Sequence, residues 1–209
     1  MTKIPLHHSK VHGAVVSAVT AVGTSNPDGS PNYAAFAFVS WVNIQPLMIC
    51  IGINKSHRTL ANIRRTKQFS VNIGSIPTLD EVNFCGCTRN PIKNEKFDTF
   101  YHEEDKEKLC PMAGNLPVCM SFSLVDIHEY PTNCAVIGKV EYSVADDSIM
   151  DDKKKFIEIK KLHPLLFSFC GPSYFSVGEY EGKPWAKNPR AGLKSIPPKE
   201  SASPEDKGK

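Results

Sequence analysis

Between residues 52 and 59 the chain reads Gly-Ile-Asn-Lys-Ser-His-Arg-Thr, so a lysine, an arginine, a histidine and two hydroxyls fall close together. An apolar run precedes them and a helical pattern follows. At the start of a helix the backbone N–H groups are free, and cations beside them make a ready seat for a phosphate. The same composition also suits a capped surface helix with ordinary solvated basic residues. Both readings stand on these residues alone.

Cys85-Gly86-Cys87 is the tightest cysteine spacing in the chain. Chemically it would be a redox pair, or two metal ligands with His102 and Cys110 downstream. It matches neither paired zinc-ligand spacing nor a Cys-x-x-Cys redox motif. These thiols therefore read as buried or half-buried structural groups. His128, His163 and the His7-His8 pair stand alone or near the terminus and are read as uninvolved. The chain has no Gly-x-Gly-x-x-Gly fingerprint, Walker loop, nucleophile elbow or His-Glu-x-x-His, so any cofactor must be held in another way.

Such groups need a scaffold. Residues 15–22 are rich in Val, Ala and Thr and read as a strand ending in a turn cluster at 23–31. Residues 33–42 and 47–53 form two more strands, joined at Pro46. No charge occurs from 32 to 54, so both are expected to be buried on both faces. Asn43, Gln45 and Pro46 in mid-stretch argue against a membrane span. Ser56 is expected to cap a short helix bearing Leu60 and Ile63, with Arg64, Arg65 and Lys67 at its end. Residues 69–73 alternate as a strand. Thr78-Leu79-Asp80-Glu81 reads as a capping box opening a second helix.

Residues 88–117 are polar and read as a solvated loop, whose length points to function or a partner. Strands resume at 118–125 and at 135–144, the latter interrupted by Gly138. A last pair spans 165–170 and 174–177, while 156–162 suits either helix or strand. Six or seven strands with two or three short helices give a mainly β, barrel-like core with helices outside.

The length of 209 residues suits one domain, and 41% apolar with 22% charged residues excludes wholesale disorder. Of the formal charge of +3, residues 183–209 hold seven Lys/Arg against three Asp/Glu. The rest is near neutral and offers no nucleic-acid face. The organisation is an arm at 1–11, a domain at 12–182 and a basic, Pro-rich tail at 183–209 anchored only by Trp185. Seven cysteines, an odd number, without a signal-peptide build imply reduced thiols and a cytoplasmic protein.

Five features in order resemble the flavin reductase-like family, in particular the flavoredoxins. They are residues 28–37 (Asp-Gly-Ser-Pro-Asn-Tyr-Ala-Ala-Phe-Ala), Gln45-Pro46-Leu47, the turn at 55–63, and Val82-Asn83-Phe84-Cys85-Gly86 with Glu95-Lys96-Phe97. The closing pair of strands, from Leu162-His163-Pro164 through residues 174–179, is the fifth. The resemblance covers roughly residues 12–180, a domain-sized share.

It implies an FMN-binding split β-barrel that works as a homodimer in electron transfer, with NAD(P)H or a redox protein as donor and flavin or another small molecule as acceptor. It places the flavin ring along Ala37, Phe38, Val39 and Ser40, with Phe38 against the ring and Ser40 donating to it. It places further cofactor contacts at Gly52, Ile53, Asn54, Ser56, His57, Arg58, Thr59, Cys85, Gly86 and Tyr174. Lys96 would offset the charge of reduced flavin. Ala35, Ala37 and Gly52 depart from the family pattern and remove side-chain contacts to the ring. Two alternatives stay open: a pure FMN electron carrier without a nicotinamide site, and a non-enzymatic dimer holding another ligand.

Overall fold

The structure is a computed structural model that describes residues 3–7, 11–89, 91–169 and 171–180. The chain divides into two units, Met1–Val177 and Gly178–Lys209. The expected tail at 183–209, with Trp185, lies outside the described residues, as does Cys170. No helix among the described residues is long and apolar enough to cross a membrane.

The strands of the first unit are β1 (Ser17–Ala18), β2 (Thr20–Ser25), β3 (Pro31–Phe36), β4 (Val39–Ile44), β5 (Leu47–Asn54), β6 (Gln68–Ile73), β7 (Thr99–Phe100), β8 (Met112–Ala113), β9 (Val118–Glu129), β10 (Asn133–Ala145), β11 (Leu166–Ser168) and β12 (Ser173–Phe175). Its α-helices are α1 (Arg58–Thr66), α2 (Leu79–Cys87) and α3 (Ile159–Leu162). Seven strands make one antiparallel sheet in the order β3-β2-β6-β9-β10-β5-β4. The sheet curls, so Phe36 of β3 shares a core with Ile49 and Ile51 of β5.

Two apolar clusters hold this arrangement. Inside the curl lie Val22, Ile51, Ile53, Phe69, Val71, Phe122 and Val136, closed by Leu60 and Ile63 of α1. Outside it, Ala21, Tyr33, Val82, Phe97, Leu116 and Leu165 pack α2 and the 97–116 segment onto β2 and β3. Every residue of β2 is therefore buried, because alternate side chains feed different clusters. At Gly138 a Cβ would meet the Phe69 ring at 2.4 Å. That ring stacks on Phe122 with centroids 5.2 Å apart, so the small residue makes room for the pair. The strand passes through Gly138 with a shift of register rather than a break.

Several sequence expectations are corrected. The strand expected at 33–42 is two strands, separated at Ala37-Phe38, where the chain crosses from one sheet edge to the other. Residues 39–44 are not buried on both faces: β4 is largely exposed. The strand expected at 15–22 splits into β1, paired with β11, and β2, which runs on through Ser25. The 88–117 segment is not merely solvated, since Lys93, Phe97, Cys110, Met112 and Leu116 are buried within it.

Capping is also displaced. Ser56 gives its hydroxyl to Asn54 Oδ1 at 2.8 Å, and His57 occupies the cap position of α1 with no side-chain bond. The capping box forms between Ser75 and Thr78 on the turn before α2, and Thr78 does not cap that helix. The undecided stretch at 156–162 ends in α3.

Candidate functional site

The end of β5 delivers the chain to α1, and the geometry follows from the buried strand's last residue. Asn54 accepts both the N–H and the hydroxyl of Ser56 at its Oδ1. The turn is thereby fixed, and the start of α1 keeps its N–H groups uncapped by any side chain. Thr59 is buried and takes a hydrogen bond from Asn32 Nδ2 at 3.4 Å. Asn32 also reaches Thr24 Oγ1, which accepts from Asn62 Nδ2 as well. This satisfied amide–hydroxyl network ties the first turn of α1 to β2 and β3.

A cleft of about 440 Å³ opens over that helix start, lined by Asn32, Ala34, Ala35, residues 56–59, residues 85–89 and Lys93. A second cleft of about 490 Å³ adjoins it and shares Asn32, Arg58, Arg89 and Lys93. Three cations thus form the common wall. Lys93 is only 8% exposed, and among the described residues no carboxylate pairs with it. Burial first, with Arg58 beside it, holds its amine below the ordinary lysine range, and the Cys85 thiol pulls the other way. Burial, then Arg89 and Lys93, likewise holds the His57 imidazole below its usual range. A pocket of like charges with little negative charge in its wall is built to receive an anion.

Six residues expected at the site meet here: Ser56, His57, Arg58, Thr59, Cys85 and Gly86. A Cβ on Gly86 would stand 3.0 Å from that of Ala35, so this wall admits no larger side chain. Burial pushes the Cys85 thiol up to about 12, only partly offset by Lys93.

The remaining residues sit elsewhere. Ile53 is fully buried in the barrel core and offers no side chain to a ligand. Lys55, part of the cation-rich turn, pairs instead with Glu129 at 3.0 Å. Lys96 does not line the cleft; its ammonium lies 5.7 Å from the centre of the Phe84 ring. Tyr174 donates to Asn83 Oδ1 at 3.0 Å and packs in the outer cluster.

Ala37, Phe38, Val39 and Ser40 lie at the crossover and the start of β4. The Gly52 N–H donates to Phe38 O at 2.8 Å, and a Cβ on Gly52 would sit 3.0 Å from that of Phe38. The Ser40 hydroxyl turns to the Trp41 carbonyl at 3.4 Å. Arg89 and Lys93 also line the cleft and were not among the residues expected there; Lys93 is hidden in a polar stretch where nothing local signals burial.

The flavin reductase like domain family matches residues 12–169 of this chain. Flavoredoxin from Methanosarcina acetivorans is similar in structure, with a TM-score of 0.80 and 29% identity over 90% of this chain and 98% of that one. Flavoredoxin of Desulfovibrio vulgaris (Miyazaki F) shares the fold with a TM-score of 0.77 at 22% identity, covering 90% and 100% of the two chains. An uncharacterized protein of Methanothermobacter thermautotrophicus is 24% identical over 169 residues, 77% of this chain and 78% of that protein.

Proposed function

This chain belongs to the flavin reductase-like domain family, and on that premise we propose that it binds FMN as a homodimer and transfers electrons from NAD(P)H or a redox partner to an acceptor. The observation that carries the reading is the wall of Arg58, Arg89 and Lys93 beside the uncapped start of α1. Its charge suits a terminal phosphate monoester, and the adjoining small residues Ala34, Ala35 and Gly86 leave room for a slender chain. The residues present fit the phosphate end of FMN.

In this reading Arg58 and Lys93 bind the phosphate by charge-assisted hydrogen bonds, and the free N–H groups of α1 add their dipole. The ring seat falls at Ala37, Phe38, Val39 and Ser40, where half-exposed Phe38 offers an apolar surface. When bound, the flavin supplies two-electron and one-electron transfer chemistry. The protein's part is to hold and orient it and to keep water from its apolar face.

Heating the purified protein and chromatographing the released cofactor tests the reading. Predominantly FMN is expected; FAD or no flavin would overturn it. Anaerobic mixing with NADH or NADPH then separates a reductase, whose visible flavin band bleaches, from an electron carrier, whose band persists. The carrier remains a second reading because the 29%-identical structure is a flavoredoxin.

A further inference from the structure

The Cys85-Gly86-Cys87 segment ends α2 at the edge of the cation-walled cleft, and its two thiols differ in kind. Cys85 is buried and donates to the Val82 carbonyl at 3.2 Å. Cys87 is the exposed cysteine among the described residues; Cys50 is half-buried, and Cys110, Cys119 and Cys134 are buried. The Cys87 thiol donates to Asn83 Oδ1 at 3.6 Å, an acceptor that already takes the Tyr174 hydroxyl at 3.0 Å. It is thus not the buried or half-buried group expected from sequence.

Helix geometry limits what Cys87 can bond to. Side chains two residues apart on an α-helix point about 200° away from each other. Cys85 accordingly joins the outer apolar cluster while Cys87 faces out. A disulfide between them would need both Cβ atoms turned toward each other. The partner for Cys87 is therefore a sulfur brought from outside.

The cleft selects the kind of molecule that brings it. Arg58, Arg89 and Lys93 line it together with Cys87. Lys93 is 8% exposed, and among the described residues its ammonium has neither a carboxylate nor a hydrogen-bond acceptor. A buried cation that lacks a counter-ion and lines a cleft calls for an anion there. Fixed charges of one sign along a cleft raise the local concentration of an oppositely charged reagent about tenfold or more. The volume of about 440 Å³ is that of a small-molecule site.

We propose that Cys87 is a modification site for small disulfides that carry carboxylates. The Cys87 thiolate attacks one sulfur of the reagent. A protein–reagent S–S bond forms as the reagent's own S–S bond breaks, and the electron pair leaves with the other half as a thiolate. The thiol proton goes to water. The protein sulfur is oxidised and the departing sulfur reduced, so the disulfide itself is the oxidant. Carboxylates of the attached half lie against Arg58, Arg89 and Lys93. The attachment rests on the charge of the cleft; that it shuts out a cofactor phosphate rests on the flavin reading.

Full chain dialysed free of flavin, with its cooperative melt retained, is treated at pH 8 and low ionic strength with glutathione disulfide or neutral hydroxyethyl disulfide. Peptide mass mapping follows the adducts, and each rate is divided by that reagent's rate on a neutral peptide with one cysteine. Glutathione disulfide modifies Cys87 first, with a normalised rate about tenfold above that of the neutral reagent. Saturating inorganic phosphate removes this advantage and leaves the neutral rate alone. Arg89→Gln alters an exposed side chain, and it slows glutathione disulfide about threefold without touching the neutral rate. Equal normalised rates overturn the proposal, and so does a first adduct at any other cysteine. Protection by phosphate but not by FMN would uphold the modification site and remove the flavin phosphate from this cleft.

Discussion

The side-chain oxygen of Asn94 accepts the backbone N–H of Tyr33 at 3.0 Å. This bond fastens the turn carrying Lys93 to the edge strand β3. Tyr33 is fully buried, and its hydroxyl reaches Met112 O at 3.0 Å and Thr99 Oγ1 at 3.1 Å. One strand residue therefore anchors the long excursion at both of its ends. The excursion is held rigidly enough to keep an ammonium buried beside Arg58, where an untethered lysine would turn to solvent.

That placement predicts the effect of removing each cation. Arg58→Ala and Lys93→Gln should each weaken FMN by about 10- to 100-fold, since a charge-assisted hydrogen bond contributes about 1.5–3 kcal/mol. Riboflavin, which lacks the phosphate, should bind both variants as it binds the parent. Lys153→Ala, an exposed control, should change nothing. Fluorescence-quenching titrations decide; equal loss for FMN and riboflavin would remove the phosphate from this cleft.

A second prediction concerns pH. Burial, then Arg89 and Lys93, lowers the His57 pKa from its ordinary value of 6.5. Below pH 6.5 the unfolded chain takes up this proton while the native protein still resists it. Stability contributed by the neutral ring is therefore present above 6.5 and is lost as pH falls through the native value. Thermal melts from pH 7.5 to 5 should show a smaller acid loss in His57→Gln than in the parent. Saturating inorganic phosphate should also shrink the loss, because a bound anion favours the protonated ring. Parallel curves for variant and parent would refute the role given to His57.

The cysteine pair should prove dispensable. Cys85 is buried, donates to the Val82 carbonyl at 3.2 Å and has a thiol pushed up to about 12 by burial, so at neutral pH it holds its proton. Thiol exchange requires a thiolate. Cys85→Ser/Cys87→Ser should keep its flavin and the parent's rate of flavin reduction, followed by absorbance after anaerobic mixing with the electron donor. Retained flavin with collapsed turnover would instead point to a dithiol relay.

Much of the scaffold was legible because alternation and turn residues are local. Residues 69–73 and 118–125 read correctly, and so did the helix carrying Leu60 and Ile63. The break at Ala37-Phe38 was not legible. It arises because the curled sheet needs the chain to change edges there, and no proline or charge marks the place. Thr78 has the right neighbours for a capping box, but Ser75 precedes it and takes the role one turn earlier. At the site, the gathering of cations at the start of α1 was readable, whereas the presence of Lys93 rather than Lys96 in the cleft wall depends on the Asn94–Tyr33 bond. Sequence cannot register so distant a tether.

The charge-free run from 32 to 54 was read as buried, and its middle, from Phe38 to Leu47, is largely exposed. Strand β4 is a sheet edge, and Trp41, Val42 and Ile44 along it are 49%, 53% and 87% exposed. Phe38 before it and Leu47 after it extend the strip. An uncharged sheet edge with exposed apolar side chains is adhesive in water and suits an interaction surface. We expect a second copy of this chain to cover it. Because Phe38 lies both on this strip and at the proposed ring seat, covering one would shield the other. Trp41→Glu/Ile44→Glu places charges on that edge without entering the core, so the variant should fold. Sedimentation velocity should find the parent dimeric and the variant monomeric, and the variant should retain less flavin after gel filtration. A parent that sediments as a monomer with full flavin would sink the interface, as would a variant that remains dimeric.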